Sequence, residues 1–232
     1  MEKIVILTGA GISAESGLGT FRDAGGLWEQ HRIEDVASPE GFARDPALVQ
    51  RFYNARRAAA AEATPNPAHI ALARLQAEYP GSVTLITQNV DGLHEAAGST
   101  GVLHMHGALS GALCPACGHR WEAPAEMAVA HPCPACGTKR ARPDIVWFGE
   151  MPYHMDEILT QLEACSYFVA IGTSGQVYPA AGFVRQADAA GAHTLELNLE
   201  ASAGRSAFAE ARQGRASDLV PLWVAEMLAE VG

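Results

Sequence analysis

Basic residues are in short supply: 16 lysines and arginines stand against 26 acidic residues, for a net charge of −10 over 232 residues. A protein that grips a nucleic-acid backbone needs a basic stripe to displace counterions, so the composition argues against nucleic acid as a partner. A lysine-rich protein surface is easier to accommodate. Long apolar runs are missing too. The first, Ile4-Val5-Ile6-Leu7, is too short for a signal peptide or a spanning helix, and no later segment approaches the needed length. A cytoplasmic protein without membrane attachment is therefore expected. Internal repeats, low-complexity tracts and a disorder-like composition are also absent. With 48% hydrophobic and 18% charged residues the chain can bury a sizeable core, and its length suits one full domain plus an appended module. A monomer is the expectation.

Cysteines number only five, yet four of them form two Cys-x-x-Cys pairs, Cys114 with Cys117 and Cys133 with Cys136. Proline and glycine flank both pairs, as tight knuckles require. The spacing fits a zinc ribbon, in which four thiolates hold one tetrahedral ion; the alternative is a pair of redox dithiols. A site closed by four thiolates leaves no open position, so the zinc would be structural. His119 and His131 lie beside the knuckles as substitute ligands. Cys165 enters a strand and is read as a small buried apolar residue.

Hydrophobic patterning alternates strands with helices. Strands are predicted over 3–8, 83–87, 102–105, 168–172 and 194–198, and helices over 10–16, 155–163, 180–190, 203–212 and 220–231. Residues 39–63 form a helical insert bounded by prolines. A further amphipathic helix starts at Asn66-Pro67, with Ile70, Leu72, Leu75 and Tyr79 as its apolar positions. After the ribbon, 145–150 is expected to return the chain to the main layer. This predicts an α/β fold: a Rossmann-like, mostly parallel sheet with helices on both faces, plus a small zinc-ribbon and helical module. Residues 1–38, 64–112 and 143–232 would make the Rossmann-like domain, and 39–63 with 113–142 the small one.

Gly9-x-Gly11 follows the first strand and opens a helix, where backbone N–H groups and the helix dipole would favour a pyrophosphate. Ala14 occupies the third position of the dinucleotide fingerprint, which permits alanine. Gly172-Thr173-Ser174-Gly175 follows another strand, and Asn198 ends a third where a ribose hydroxyl could be bound. His104 and His106 flank a strand end. Gly107 leaves space for a substrate at His106, so His106 is the candidate base and His104 the scaffold.

Gly9-Ala10-Gly11-Ile12-Ser13, Phe21-Arg22, Thr87-Gln88-Asn89-Val90-Asp91, His106-Gly107, the four-cysteine ribbon, Arg142-Pro143-x-x-Val146-x-Phe148-Gly149-Glu150 and Gly172-Thr173-Ser174 resemble, in that order, the sirtuins. Those are NAD-dependent protein-lysine deacylases, and the resemblance spans nearly the whole chain. It implies two cofactors, NAD and one structural zinc, and acylated-lysine proteins as substrates. His106 is implied as the general base acting on a ribose hydroxyl, with nicotinamide and an O-acyl-ADP-ribose as products. Gly9, Ala10, Gly11, Ile12, Ala14, Phe21, Arg22, Gln88, Asn89, Asp91, Gly172, Thr173, Ser174 and Asn198 are implied in cofactor binding. Val146 and Phe148 match the acyl-lysine tunnel, and Gly149 and Glu150 the strand that pairs with substrate backbone. Many sirtuins carry proline where Gly19 stands and glycine where Asp23 stands. Tyr53 and Arg56, three apart on one helix face, look like the Tyr-x-x-Arg pair of the sirtuin class that removes succinyl and malonyl groups, where a phenol and a guanidinium would meet the acyl carboxylate. Removal of acetyl groups is expected beside it. Mono-ADP-ribosyl transfer from the same NAD site is the alternative function.

Overall fold

The computed structural model describes residues 2–19 and 31–230. Strand β1 (Lys3–Thr8) is followed by two 3-10 turns, Ala10–Ile12 and Ala14–Ser16. Next come α1 (Ile33–Val36), α2 (Pro39–Arg44), α3 (Pro46–Glu62), α4 (Pro67–Glu78), β2 (Ser82–Thr87), α5 (Leu93–Ala96) and β3 (Leu103–His104). Then β4 (Gly107–Leu113), β5 (Arg120–Glu122) and β6 (Arg142–Ile145) lead to α6 (Met155–Ala164) and β7 (Tyr167–Ile171). The chain finishes with α7 (Phe183–Ala189), β8 (His193–Asn198), β9 (Glu210–Gln213) and α8 (Ala216–Ala229).

Prolines and short polar caps set the helix starts. Ser38 accepts the Gly41 N–H and Asp45 the Leu48 N–H, each at 2.9 Å, with Pro39 and Pro46 in the first turn where no N–H is needed. Asn66 caps α4 the same way, and its partner in a reciprocal capping box is His69.

Six parallel strands run in the order β3-β2-β1-β7-β8-β9. Alternate residues of β1 face opposite layers. Ile4 and Ile6 pack with Leu72 and Leu75 of α4 and with Trp223 and Val224 of α8. Val5 and Leu7 pack with Ile158 and Leu162 of α6 and with Phe183 and Val184 of α7. Both faces are thus covered, which is why β1 is apolar at nearly every position. The chain proceeds from β1 outward through β2 and β3, then returns to β7 on the other flank. The switch point lies between β1 and β7, where a crevice opens beyond the carboxyl ends of the strands.

A second, antiparallel sheet has the order β5-β4-β6. Its Leu109 and Ile145, with Trp147, bury against Val49, Phe52 and Tyr53 of α3. Polar ties join α3 to the same region: Arg57 Nε donates to the Leu109 carbonyl at 2.9 Å, and Gln50 Nε2 to that of Ala141 at 3.0 Å.

Four sequence expectations are corrected. Residues 145–150 do not rejoin the main layer, because β6 pairs with β4 and Trp147 belongs to the α3 cluster. The helix predicted over 203–212 is a 3-10 turn, Arg205–Ala207, followed by edge strand β9; the open edge of β8 outweighs the helix propensity of an alanine-rich segment. The predicted helix over 10–16 is broken into two 3-10 turns, so there is no macrodipole to direct at a phosphate. Ile70 is 56% exposed, and the inward face of α4 is Ala68, Ala71, Leu72 and Leu75 instead. No helix among the described residues is long and apolar enough to cross a membrane.

Candidate active site at the strand ends

Glycine is required at the switch point by backbone crowding. A Cβ on Gly9 would stand 2.8 Å from the Gly172 carbonyl oxygen, one on Gly11 2.7 Å from the Gly172 Cα, and one on Gly172 2.5 Å from the Ile12 nitrogen. The two loops lock together through Gly9 N–H to the Ile171 carbonyl at 3.0 Å and Gly11 N–H to that of Gly172 at 2.9 Å. These glycine N–H groups are therefore spent on packing, which revises the expectation that they face a phosphate. The N–H of Ile12 is also taken, by the Gly9 carbonyl, and its side chain is sealed in the core. Among the described residues, the N–H groups of Ala10, Thr173 and Ser174 have no backbone partner and remain as donors in the crevice. Ala14 is exposed at the start of the second turn. Asn198 serves the neighbouring loop, its amide donating to the Thr173 carbonyl at 2.7 Å.

Beside this cradle a buried polar network fixes Asn89 and Asp91. The Asn66 N–H points at His69 Nδ1, 3.3 Å away, so Nδ1 accepts and the ring proton sits on Nε2, facing Ser13 Oγ at 3.5 Å. Ser13 in turn donates to Asp91 Oδ2 at 3.1 Å and receives the Asn89 amide at 3.1 Å. That amide also reaches the Gly9 carbonyl at 3.1 Å. Asp91 Oδ1 accepts the Leu93 N–H. Beneath them, His94 Nε2 lies 2.9 Å from Thr8 Oγ1, which donates to Thr87 Oγ1 at 2.8 Å; Thr87 accepts the Asn89 N–H at 3.0 Å. Burial drives the His69 pKa down to about 4 and that of His94 to about 3, so both rings are neutral at pH 7. Ser13 and His69 escaped the sequence reading. Their contact joins positions 56 residues apart in the chain, which no local pattern signals.

His106 stands where β3 gives way to β4. Its Nδ1 is 3.1 Å from the Gln88 carbonyl, which can only accept, so Nδ1 carries the proton and Nε2 presents a lone pair. Burial lowers its pKa, and the Gln88 carbonyl opposes this only in part. The imidazole is therefore a neutral base at pH 7 with a fixed tautomer. His104 differs: both its nitrogens face acceptors, the Asn89 carbonyl at 3.2 Å and Glu95 Oε1 at 2.8 Å. Burial alone would lower its pKa, but the Glu95 carboxylate more than compensates and raises it.

The opposite wall comes from α3 and from the segment after β6. Tyr53 is 1% exposed, and its oxygen accepts the Trp147 indole N–H at 3.0 Å. The Arg56 guanidinium lies 5.9 Å from the Tyr53 ring centre and 5.8 Å from that of Phe52. Burial lowers the Arg56 pKa, and the negative charge of Asp91 opposes this in part. Val146 is half-buried, and its N–H is held by the His106 carbonyl at 2.9 Å. Phe148 is 52% exposed. Gly149 adopts φ +90°, a conformation that favours glycine. Glu150 is largely committed internally: its carboxylate grips Arg142 at 2.6 and 2.9 Å and accepts the Trp147 N–H, and its own N–H goes to the Trp147 carbonyl. Phe21 and Arg22 lie outside the described residues.

Cys114, Cys117, Cys133 and Cys136 bring their sulfurs within 4.8 Å of one another, with 3.7 Å between Cys114 and Cys136 and 3.8 Å between Cys117 and Cys133. A tetrahedron with arms of about 2.3 Å, the zinc–sulfur distance, has edges of about 3.8 Å, so the donor set fits zinc. Gly118 and Gly137, at φ +73° and +72°, turn the two knuckles. His119 is not in the cluster and stacks on Trp121 instead.

This fold and this cleft have close counterparts. The chain matches the Sir2 family over residues 9–179 and belongs to it. It is 56% identical over 230 residues to an NAD-dependent protein deacylase of Bdellovibrio bacteriovorus, covering 98% of this chain and 97% of that one. A Vibrio cholerae protein of the same name is 56% identical over 229 residues, covering 97% and 93%. Among solved structures, a Sir2 homolog–NAD complex superposes with a TM-score of 0.91 at 35% identity, over 99% of this chain and 91% of that one. A Sir2–p53 peptide–NAD+ complex gives 0.78 at 28% identity, over 99% and 93%.

Proposed function

We propose that the chain is an NAD-dependent protein-lysine deacylase that removes succinyl or malonyl groups as well as acetyl groups from protein lysines. The observation that carries this reading is the neutral His106, whose Nδ1 is fixed by the Gln88 carbonyl so that Nε2 presents its lone pair. Membership of the Sir2 family and relatives named as deacylases support it.

NAD fits the crevice at the switch point, where loops that exclude a Cβ leave the Ala10, Thr173 and Ser174 N–H groups as donors for a diphosphate. When bound, it supplies an electrophilic ribose carbon as nicotinamide departs. Asn89 and Asp91 would line the nicotinamide and ribose side, held by Ser13 and His69, while Gln88 stands near the ribose. Ser174 would meet the adenosine half, with Asn198 holding its loop. His106 Nε2 would accept the proton of a ribose hydroxyl and so serve as the general base of acyl transfer. Val146 and Phe148 would flank the lysine stem. The Gly149 N–H and the Glu150 carbonyl would pair with substrate backbone, since the Glu150 side chain is engaged elsewhere. Tyr53 and Arg56 would receive the carboxylate of a succinyl or malonyl group. The four cysteines would hold a structural zinc, and residues 39–63 with 113–142 would act as the small module.

Parallel incubations of acetyl-lysine and succinyl-lysine peptides with NAD, weighed by mass spectrometry, test the reading. Loss of both acyl groups with formation of O-acyl-ADP-ribose is expected. Stable ADP-ribosylated protein with the acyl group retained would refute it.

A further inference from the structure

Tyr53 is buried, yet it is asked to present a hydrogen-bond donor to a charged acyl terminus. A phenol oxygen in an apolar cluster can turn its single proton toward any acceptor within reach. Here the choice is removed. The Trp147 indole N–H is a donor only, and it occupies one lone pair of the Tyr53 oxygen at 3.0 Å. The phenol proton must then point away from Trp147.

Trp147 is itself clamped. The Arg142 guanidinium carbon lies over its ring, 3.4 Å from the ring centre, and Phe42 packs on it at 5.3 Å. Glu150 holds Arg142 with both carboxylate oxygens and takes the Trp147 backbone N–H, closing a ring of contacts around the indole. The cation on the face of the indole withdraws electron density from it, which makes the N–H a stronger donor. Burial raises the Tyr53 pKa, so the phenol keeps its proton at neutral pH.

We infer that Trp147, braced by Arg142 and Glu150, is a positioning residue for acyl selectivity: its indole N–H orients the Tyr53 hydroxyl as a donor toward an acidic acyl group. This inference rests on the reading of Tyr53 and Arg56 as the acyl-carboxylate site. It extends that site from two residues on α3 to an arrangement spanning α3 and the turn after β6.

The test is a double-mutant cycle in the full chain with zinc and NAD. Trp147→Phe removes the N–H and keeps an aromatic ring; incorporation of 3-benzothienylalanine at 147 keeps the bicyclic volume and lacks only the N–H, which covers the case in which the phenylalanine variant melts early. The readouts are the succinyl-to-acetyl ratio of kcat/KM and, independently of turnover, the Kd of a succinyl-lysine peptide by calorimetry. Loss of one orienting hydrogen bond should lower the ratio about three- to tenfold, chiefly through KM, and weaken succinyl-peptide binding to match. In a Tyr53→Phe background the change at 147 should have no further effect on the ratio. Equal losses on both substrates, or a full additive loss in that background, would overturn the role of Trp147. If Tyr53→Phe and Arg56→Met leave the ratio unmoved, the acyl-carboxylate site itself fails. If they lower it and the change at 147 does not, only the positioning role fails.

Discussion

The six-stranded sheet and the cysteine-knuckle region of this molecule are held by different physics. The six-stranded parallel sheet is sandwiched between continuous apolar layers, one built on Ile4, Ile6, Leu72 and Trp223 and the other on Val5, Leu7, Phe168 and Phe183. Around the cysteine knuckles the apolar cluster shrinks to Ala112, Met127 and Ala141, with Trp121 and Ala123 partly buried beside it. Burial at about 25 cal/mol per Å² stabilises the first many times over and the second hardly at all. The first region therefore resists single substitutions, whereas the second depends on four thiolates. The cleft takes Asn89, Asp91 and Ala10 from the large sheet and its surroundings and Tyr53 and Trp147 from the apolar cluster between α3 and the small sheet.

Metal removal should break that contrast most sharply. Structural zinc contributes of order 10 kcal/mol to folding in isolated modules. Chelation or Cys114→Ser should accordingly unfold the ribbon cooperatively, seen as an early calorimetric transition that leaves the main sheet to melt later; a single unshifted transition would count against it. Next in size is His106→Tyr, which should cut kcat/KM about 10²- to 10⁴-fold with the melting temperature nearly constant. Turnover close to wild type would remove His106 as the base. Arg56→Met should lower desuccinylation about 10- to 100-fold more than deacetylation, the weight of a charge-assisted hydrogen bond. Equal losses would reduce Arg56 to a packing role.

Acidity should produce the smallest effects. Because burial lowers the His106 pKa, the acid limb of kcat/KM should fall below the ordinary imidazole value of about 6.5. A limb at or above that value would contradict the assignment. For stability, His69 and His94 have folded pKa values of about 4 and about 3, below the unfolded value. The unfolded chain therefore binds their protons first: stability is complete above about pH 6.5 and declines as pH falls toward those lower values. Urea unfolding at pH 7 and pH 5 should show a steeper decline in wild type than in His94→Asn.

The large sheet was legible because buried parallel strands announce themselves as apolar runs such as Ile4 to Leu7, and its helices because proline and polar caps mark their starts. The four-cysteine cluster was legible from spacing alone. What escaped was decided by tertiary context. The alanine-rich segment 203–212 placed strand β9 on the open edge of β8 against its helix propensity, and residues 142–145 paired with β4 outside the main layer. In the cleft, the glycines at 9 and 11 signalled a phosphate cradle, but their N–H groups close a loop crossing while Ala10 keeps its donor. Ser13, His69 and Trp147 act through hydrogen bonds between residues far apart in the chain, which no local pattern encodes.

The central claim joins a neutral imidazole, a nucleotide cradle and an acyl-lysine wall in one cleft. The most direct measurement is the stoichiometry of one incubation with NAD and a succinyl-lysine peptide, with nicotinamide and free lysine counted together. One nicotinamide released for each lysine freed is the predicted result. Nicotinamide released while the peptide keeps its acyl group, or lysine freed without NAD, would contradict it.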